Sequence, residues 1–323
     1  MGAGPRRRGG RLNMGSHRLP SRGRLYWDAF RASLKHIAEN DISLISAGVA
    51  FFAMLSLFPA LAALIALLGM ISDAAVVLPQ LEKMRGFLPN DVYEIISVQV
   101  TSLITASTET LGWAGLLSLC FALWSARAGV GAMMIGLNNV YKQRNRNTAW
   151  HYLRALMLTM MLVLVGIVAL LTLVIAPVLL AFFPLGPFAS LVVELLRWVI
   201  AIVVLFAGVG VLYRFGPNRR AARLPWLSAG AVLAVLLWAV LSVGFSYYVS
   251  NFGNYNQVYG SIGAVIAMLI WLWISSFLVL FGASLNAQIE LRTKEDSTIG
   301  PPRPVGRRGA VVADEFVEVP ENG

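Results

Sequence analysis

Six long apolar runs divide the chain, at about 42–72, 111–138, 154–182, 188–213, 225–249 and 261–289. About 20 consecutive apolar residues cross a hydrocarbon core of roughly 30 Å as a helix, so each run predicts a transmembrane helix. The expected class is all-α, a polytopic protein with a six-span membrane domain over 25–292. Pro59 falls inside the first run, where its missing N–H predicts a kink or a break into two pieces. Between the first two runs, LPNDVYEIISVQVTSLI offers a cap at Asn90/Asp91 after Pro89. Val92, Ile95, Ile96, Gln99 and Leu103 then follow near helical spacing. Short amphipathic helices are therefore expected within 73–110, at the outer membrane–water boundary or over the bundle. Ahead of the first run, LYWDAFRASLKHIAEN sets Trp27, Phe30, Leu34 and Ile37 on one helical face, with Asp28, Arg31 and Lys35 elsewhere. That pattern predicts an interfacial helix on the inner leaflet. Residues 1–24 and 293–323, rich in Gly, Pro and Arg or in Glu, read as disordered tails.

Charge decides the threading. Only 13% of residues are charged and 58% are hydrophobic, against about 25% charged in a water-soluble domain. If both termini share a side with the connections after the second and fourth spans, that side holds 22 of the 26 Lys and Arg. The opposite side holds Lys83 and Arg85, while Arg127 and Arg197 fall within spans. Positive charge next to spans stays in the cytoplasm, so both termini are expected there. The net charge of +10 would otherwise suggest phosphate-backbone binding. Here it is accounted for by topology, and no specific nucleic-acid partner is expected. Cys120 is the single cysteine, so neither a disulfide framework nor a Cys-based metal site is available. No cleavable signal peptide is evident.

Ionisable groups at membrane depth are costly and usually have a purpose. Glu194 and Arg197, three apart in LVVELLRWVI, share a face of the fourth span. They are either a self-satisfied pair near the outer boundary or a gate or coupling site for a proton or ion. Arg127, in FALWSARAGVG, either snorkels to the inner headgroups or faces the bundle and holds an anion such as a lipid phosphate. Asn138, Asn139 and Tyr141 close the second span, and Asn286, Gln288 and Glu290 close the last. These amides either cap backbone and bond neighbouring helices or line an inner vestibule. At the outer rim, Asn254, Asn256, Gln257 and Tyr259 of NYNQVYG are uncharged polar candidates for contact with cargo. Small residues mark expected helix contacts: Ser43, Ala47 and Ala50 in the first span, with Ser46 and Ala53 adjoining, and Gly260, Gly263 and Ala267 in the last.

Several chemistries lack a sequence basis. There is no phosphate-binding loop. His17, His36 and His151 are far apart, and neither HExxH nor a paired acidic motif occurs within the spans. No catalytic residue, metal site or cofactor is therefore expected, and an enzyme is not the expected reading.

ISAGVAFFAMLSLFPALAALIALLG, LNNVYK and VYGSIGAVIAMLIWLWISSFLVLFGASLNAQIE together resemble the YihY/BrkB family of bacterial inner-membrane proteins, over about residues 25–292. The resemblance implies six spans with cytoplasmic termini. It also brings two historical labels, a serum-resistance or virulence factor and a ribonuclease, the latter regarded as a misassignment. The family's characteristic positions fall on Ala47, Ser56, Pro59, Asn138, Tyr259, Gly260, Gly263, Trp271, Gly282 and Asn286. The resulting expectation is a transporter-like protein that moves or accommodates a lipid or amphipathic envelope component. The alternative is a scaffold for envelope assembly. Membrane lipids are the expected partners, with envelope proteins or a second copy of the chain as further candidates.

Overall fold

A computed structural model describes residues 22–71, 97, 108–144, 147–172, 186–219, 228–251, 256–293 and 311–314. The described residues form helices and no strand: α1 (Arg22–Glu39), α2 (Ile42–Ile71), α3 (Thr108–Val140), α4 (Thr148–Leu170), α5 (Pro187–Phe215), α6 (Ala229–Asn251), α7 (Asn256–Leu291) and α8 (Val311–Asp314). Helices α2 to α7 are each long and apolar enough to cross a membrane. The expected amphipathic segment between α2 and α3 lies outside the described residues, Ser97 and the start of α3 apart. Pro59 does not break its helix, since α2 runs continuously through it. The third span begins at Thr148 rather than near 154, directly after an extended Asn147 (φ −52°, ψ 142°).

Helix α3 ends where its backbone turns left-handed. Lys142 has φ 51°, its N–H donates to Asn139 O (3.1 Å), and the Gln143 N–H donates to Asn138 O (2.8 Å). This paired 5→2 and 6→1 closure satisfies orphan carbonyls at a helix end. It also fixes Tyr141 at the mouth of the bundle. Asp41, with φ 52°, makes the corresponding bend between α1 and α2.

The protein core is concentrated at one end of the bundle, where α1, residues 141–144, 216–219 and 228, and residue 293 meet. We call this the basic end. Ile42, Leu137, Tyr141, Tyr213, Leu280 and Leu291 are buried there in one cluster. Further along, large side chains such as Leu117, Leu195, Val203, Leu236 and Val240 point outward. Lipid tails are as apolar as leucine, so transfer from water does not hold these helices together. Close packing and interhelical hydrogen bonds do. Gly129 of α3 sits on Phe52 of α2, and Gly136 is overlain by Leu280 and Ile45. Along α2 the buried small residues among the described side chains are Ser46, Ala50 and Ala63, whereas Ala47 is exposed. The contact stripe is thus rotated from the one centred on Ser43 and Ala47, because a helix apolar all round carries no sign of which face meets protein.

Helix α1 shows a similar division. Ala29, Ser33 and Ile37 are buried against the basic end of α7, and Phe30 meets Phe281 edge-on at 5.7 Å between ring centroids. Trp27 and Leu34, expected on the same face as Phe30 and Ile37, stay exposed. They border Arg31 and Lys35, as suits an interfacial helix. Within the stretch expected as a disordered C-terminal tail, α8 packs on α7 with Val312 fully buried in the main core.

Candidate functional site

At the basic end, the ends of α3 and α7 and the residues flanking α5 and α6 bring polar side chains into the core. The helix closure at Lys142 aims Tyr141 inward, where it is fully buried. The Arg219 guanidinium lies over its ring, 4.4 Å from the centroid. Arg219 Nη2 forms an ion pair with Glu290 Oε1, with side chains only 3% and 8% exposed. Tyr141 Oη lies near the Arg219 guanidinium and the Asn286 amide but in hydrogen-bond geometry with neither. Arg219 Nε and Nη1 also lack partners among the described residues. Burial pushes the Tyr141 phenol up to about 12, so it keeps its proton and remains a donor at any ordinary pH.

A second set of bonds braces this cluster. Asn138 Oδ1 accepts from the Asn218 N–H (2.7 Å), and Asn218 Nδ2 donates to Arg144 O (3.0 Å). Asn286 Oδ1 accepts from the Gly230 N–H (2.8 Å), while its Nδ2 donates to Ser228 Oγ (2.8 Å). The Ser228 hydroxyl in turn accepts from the Ala231 N–H (3.2 Å) at the start of α6. Asn286 thereby satisfies a donor at the first turn of α6 that helix geometry leaves unpaired. The approach requires two glycines: a Cβ on Gly230 would strike the Gly282 carbonyl oxygen, and a Cβ on Gly282 would strike that of Gly230. Tyr213 Oη bonds Val279 O (2.7 Å) beside this contact.

Above the cluster, toward the middle of the same four helices, lies a cavity of about 170 Å³. Met133 of α3, Leu205 and Val209 of α5, Ala234, Val235 and Trp238 of α6, and Ser275, Ser276 and Val279 of α7 line it. Its few polar groups are occupied. Trp238 Nε1 donates to Ser275 Oγ (3.1 Å), and Ser276 Oγ donates to Leu272 O (2.8 Å). What remains is a half-open apolar chamber. Met133 precedes Tyr141 by eight residues in sequence, which is about 12 Å along a helix.

The sequence candidates fall in different places. Asn138, Tyr141, Asn286 and Glu290 converge in the cluster, and Asn139 sits half-buried at its edge. Arg127 does not join them; its guanidinium stacks on Tyr152 of α4, 4.1 Å from the ring centroid. Glu194 and Arg197 pair locally on an exposed face of α5, and Trp198 Nε1 adds a 2.9 Å bond to the same carboxylate oxygen. Gly282 is at a backbone contact, Gly263 is half-buried, and Pro59 is half-buried within α2. Asn256, Gln257, Tyr259 and Gly260 lie in the first turns of α7, with side chains outside the described residues, and Asn254 lies wholly outside them. Arg219, Asn218, Ser228 and Gly230 were not singled out as site residues from the sequence. The signal available was a basic connection, which topology already explained.

A family model described as virulence factor BrkB matches residues 33–306. The ribonuclease-like protein YfkH of Bacillus subtilis (strain 168) is 33% identical over 272 residues, covering 77% of this chain and 90% of its own length. A UPF0761 membrane protein of Tolumonas auensis is 36% identical over 98 residues, 30% of each chain. Another from Xanthomonas campestris pv. campestris (strain B100) is 37% identical over 84 residues, 26% of this chain and 20% of its own. The chain therefore spans nine-tenths of the Bacillus protein but less than a third of each of these two UPF0761 proteins. No solved structure matches it. With six membrane-spanning helices and a family match over most of its length, the chain is an integral membrane protein and belongs to the virulence factor BrkB family.

Proposed function

We propose that this protein accommodates, and carries across the bacterial inner membrane, an amphipathic lipid-like component of the envelope, without catalysing a covalent reaction. In this reading the basic end and both termini face the cytoplasm, which the distribution of Lys and Arg supports. One observation carries the proposal: an apolar chamber and a buried polar cluster are stacked on the same four helices. A chamber lined by Val, Leu, Met and Trp suits a hydrocarbon tail, while the cluster beyond it offers donors to a headgroup. Polar groups at such depth are tolerated where protein surrounds them or where they line a pathway.

The test is movement of fluorescent phospholipids between leaflets of proteoliposomes containing the purified chain. The account expects protein-dependent movement that is lost when Val235→Phe fills the chamber and retained in Arg127→Ala, since Arg127 stacks away from the cluster. Absence of movement for every headgroup tried, in correctly folded protein, would overturn transport and leave the envelope scaffold. Movement that Val235→Phe leaves untouched would remove the chamber from the path.

A further inference from the structure

We infer that the buried cluster at the basic end is a phosphate-binding site, built to hold the phosphate of a lipid headgroup on Arg219 and Tyr141. The inference rests on the amphipath reading above and names the headgroup chemistry.

Three unmet donors share the cluster among the described residues: Arg219 Nε–H, Arg219 Nη1–H and Tyr141 Oη–H. Buried donors without acceptors are expensive and rare in folded proteins. The nearby groups do not meet the need. Glu290 already takes Arg219 Nη2, and the Asn286 amide is spent on Gly230 and Ser228. The partner that fits several donors and no acceptor is an oxyanion. Nε and Nη1 lie on different edges of the guanidinium, so a carboxylate with two oxygens matches them poorly. Phosphate presents more oxygens, in several directions, and Arg is the side chain best suited to it.

Charge points the same way. Arg219 and Glu290 cancel, leaving a neutral, donor-rich cluster on a connection that also contains Arg220 and Arg223. Tyr141 is held protonated by its burial, so it presents a hydrogen to the ion at any ordinary pH. Its ring, lying beneath the guanidinium, keeps Arg219 in place without using an N–H. A site that holds an anion and releases it needs neutral donors and a part-neutralised cation rather than a free charge.

The experiment compares three probes on the full chain in uncharged detergent, by native mass spectrometry: lysophosphatidic acid, a monoacylglycerol of the same acyl chain, and inorganic phosphate. The wild type is expected to bind lysophosphatidic acid about tenfold or more tighter than the monoacylglycerol, the yield of one hydrogen bond to a charged group. Tyr141→Phe keeps the ring and removes the hydroxyl; Arg219→Lys keeps the charge for Glu290 and removes the fork. Both should bring the ratio close to one by weakening lysophosphatidic acid binding, and a cooperative unfolding transition in the same detergent, followed by tryptophan fluorescence, reports that the fold is intact. If the two lipids bind alike, or the preference survives both substitutions, the donors hold water and the phosphate inference fails while the amphipath reading stands. If inorganic phosphate competes fully and the monoacylglycerol does not bind, the site takes a free ion and the lipid source is overturned. If no probe binds, both readings fall.

Discussion

Replacing Glu290 with Gln removes the charge opposite Arg219 while preserving side-chain shape. The two side chains are only 8% and 3% exposed, so water cannot take over as the counter-charge. Arg219 already has two nitrogens without partners among the described residues, and no spare acceptor there can absorb the loss. Breaking a buried pair from one side costs about 3–5 kcal/mol, because one charge stays buried and uncompensated. An exposed pair would cost about 0–1 kcal/mol, so the outcomes are well separated. Removing both partners with Arg219→Met and Glu290→Leu also removes both desolvation penalties, and this double variant should lose less than either single one. The assay is unfolding in mixed micelles followed by tryptophan fluorescence, comparing wild type, Glu290→Gln, Arg219→Met, Glu290→Leu and the double variant. Single variants within about 1 kcal/mol of wild type, or a double variant as damaged as the two singles combined, would show that the pair is wet.

Four further outcomes follow from the fold. Gly230→Ala should cost about 3 kcal/mol or more in unfolding free energy, since the new Cβ meets the Gly282 backbone rather than a yielding side chain. Gly244→Ala, with open space around it, should be neutral or mildly stabilising. Lys142→Gly should raise stability by about 1 kcal/mol, because glycine adopts the φ of 51° without a Cβ penalty, and a lowered midpoint would show that the Lys142 side chain matters more. Burial lowers the pKa of His36 from its usual 6.5, so just below that value the unfolded chain binds more protons than the folded one. Stability should therefore fall as pH drops through that window, and His36→Gln should flatten the fall. The unfolding midpoint measured across that range checks it.

The six spans were legible because twenty apolar residues in a row have few other fates, and the meeting of Asn138, Tyr141, Asn286 and Glu290 followed from threading alone. Helix faces were harder to read. In water, polarity marks the outward face of a helix; in lipid, both faces of α2 are apolar, and Ala47 and Ala50 look alike until a neighbour is placed against one of them. Arg219 was hidden for a different reason. A loop arginine that helps set topology has the same sequence signature as one that turns into the core, and only the packing of Tyr141 beneath it separates the two. The reverse held for Arg127. Its position inside a span left snorkelling to the inner headgroups and the bundle interior equally open, and in the fold its guanidinium stacks on Tyr152 of α4.

The central claim is that an amphipathic molecule occupies the inner half of the bundle. Its most direct test is photocrosslinking in intact cells from a diazirine side chain placed at Val235, in the chamber, or at Val240, which is 71% exposed on the same helix. The account predicts that position 235 yields a discrete, phosphate-bearing acyl adduct by mass spectrometry, while position 240 captures the bulk membrane lipids. Adducts at 240 with none at 235, in protein that folds and inserts normally, would contradict it.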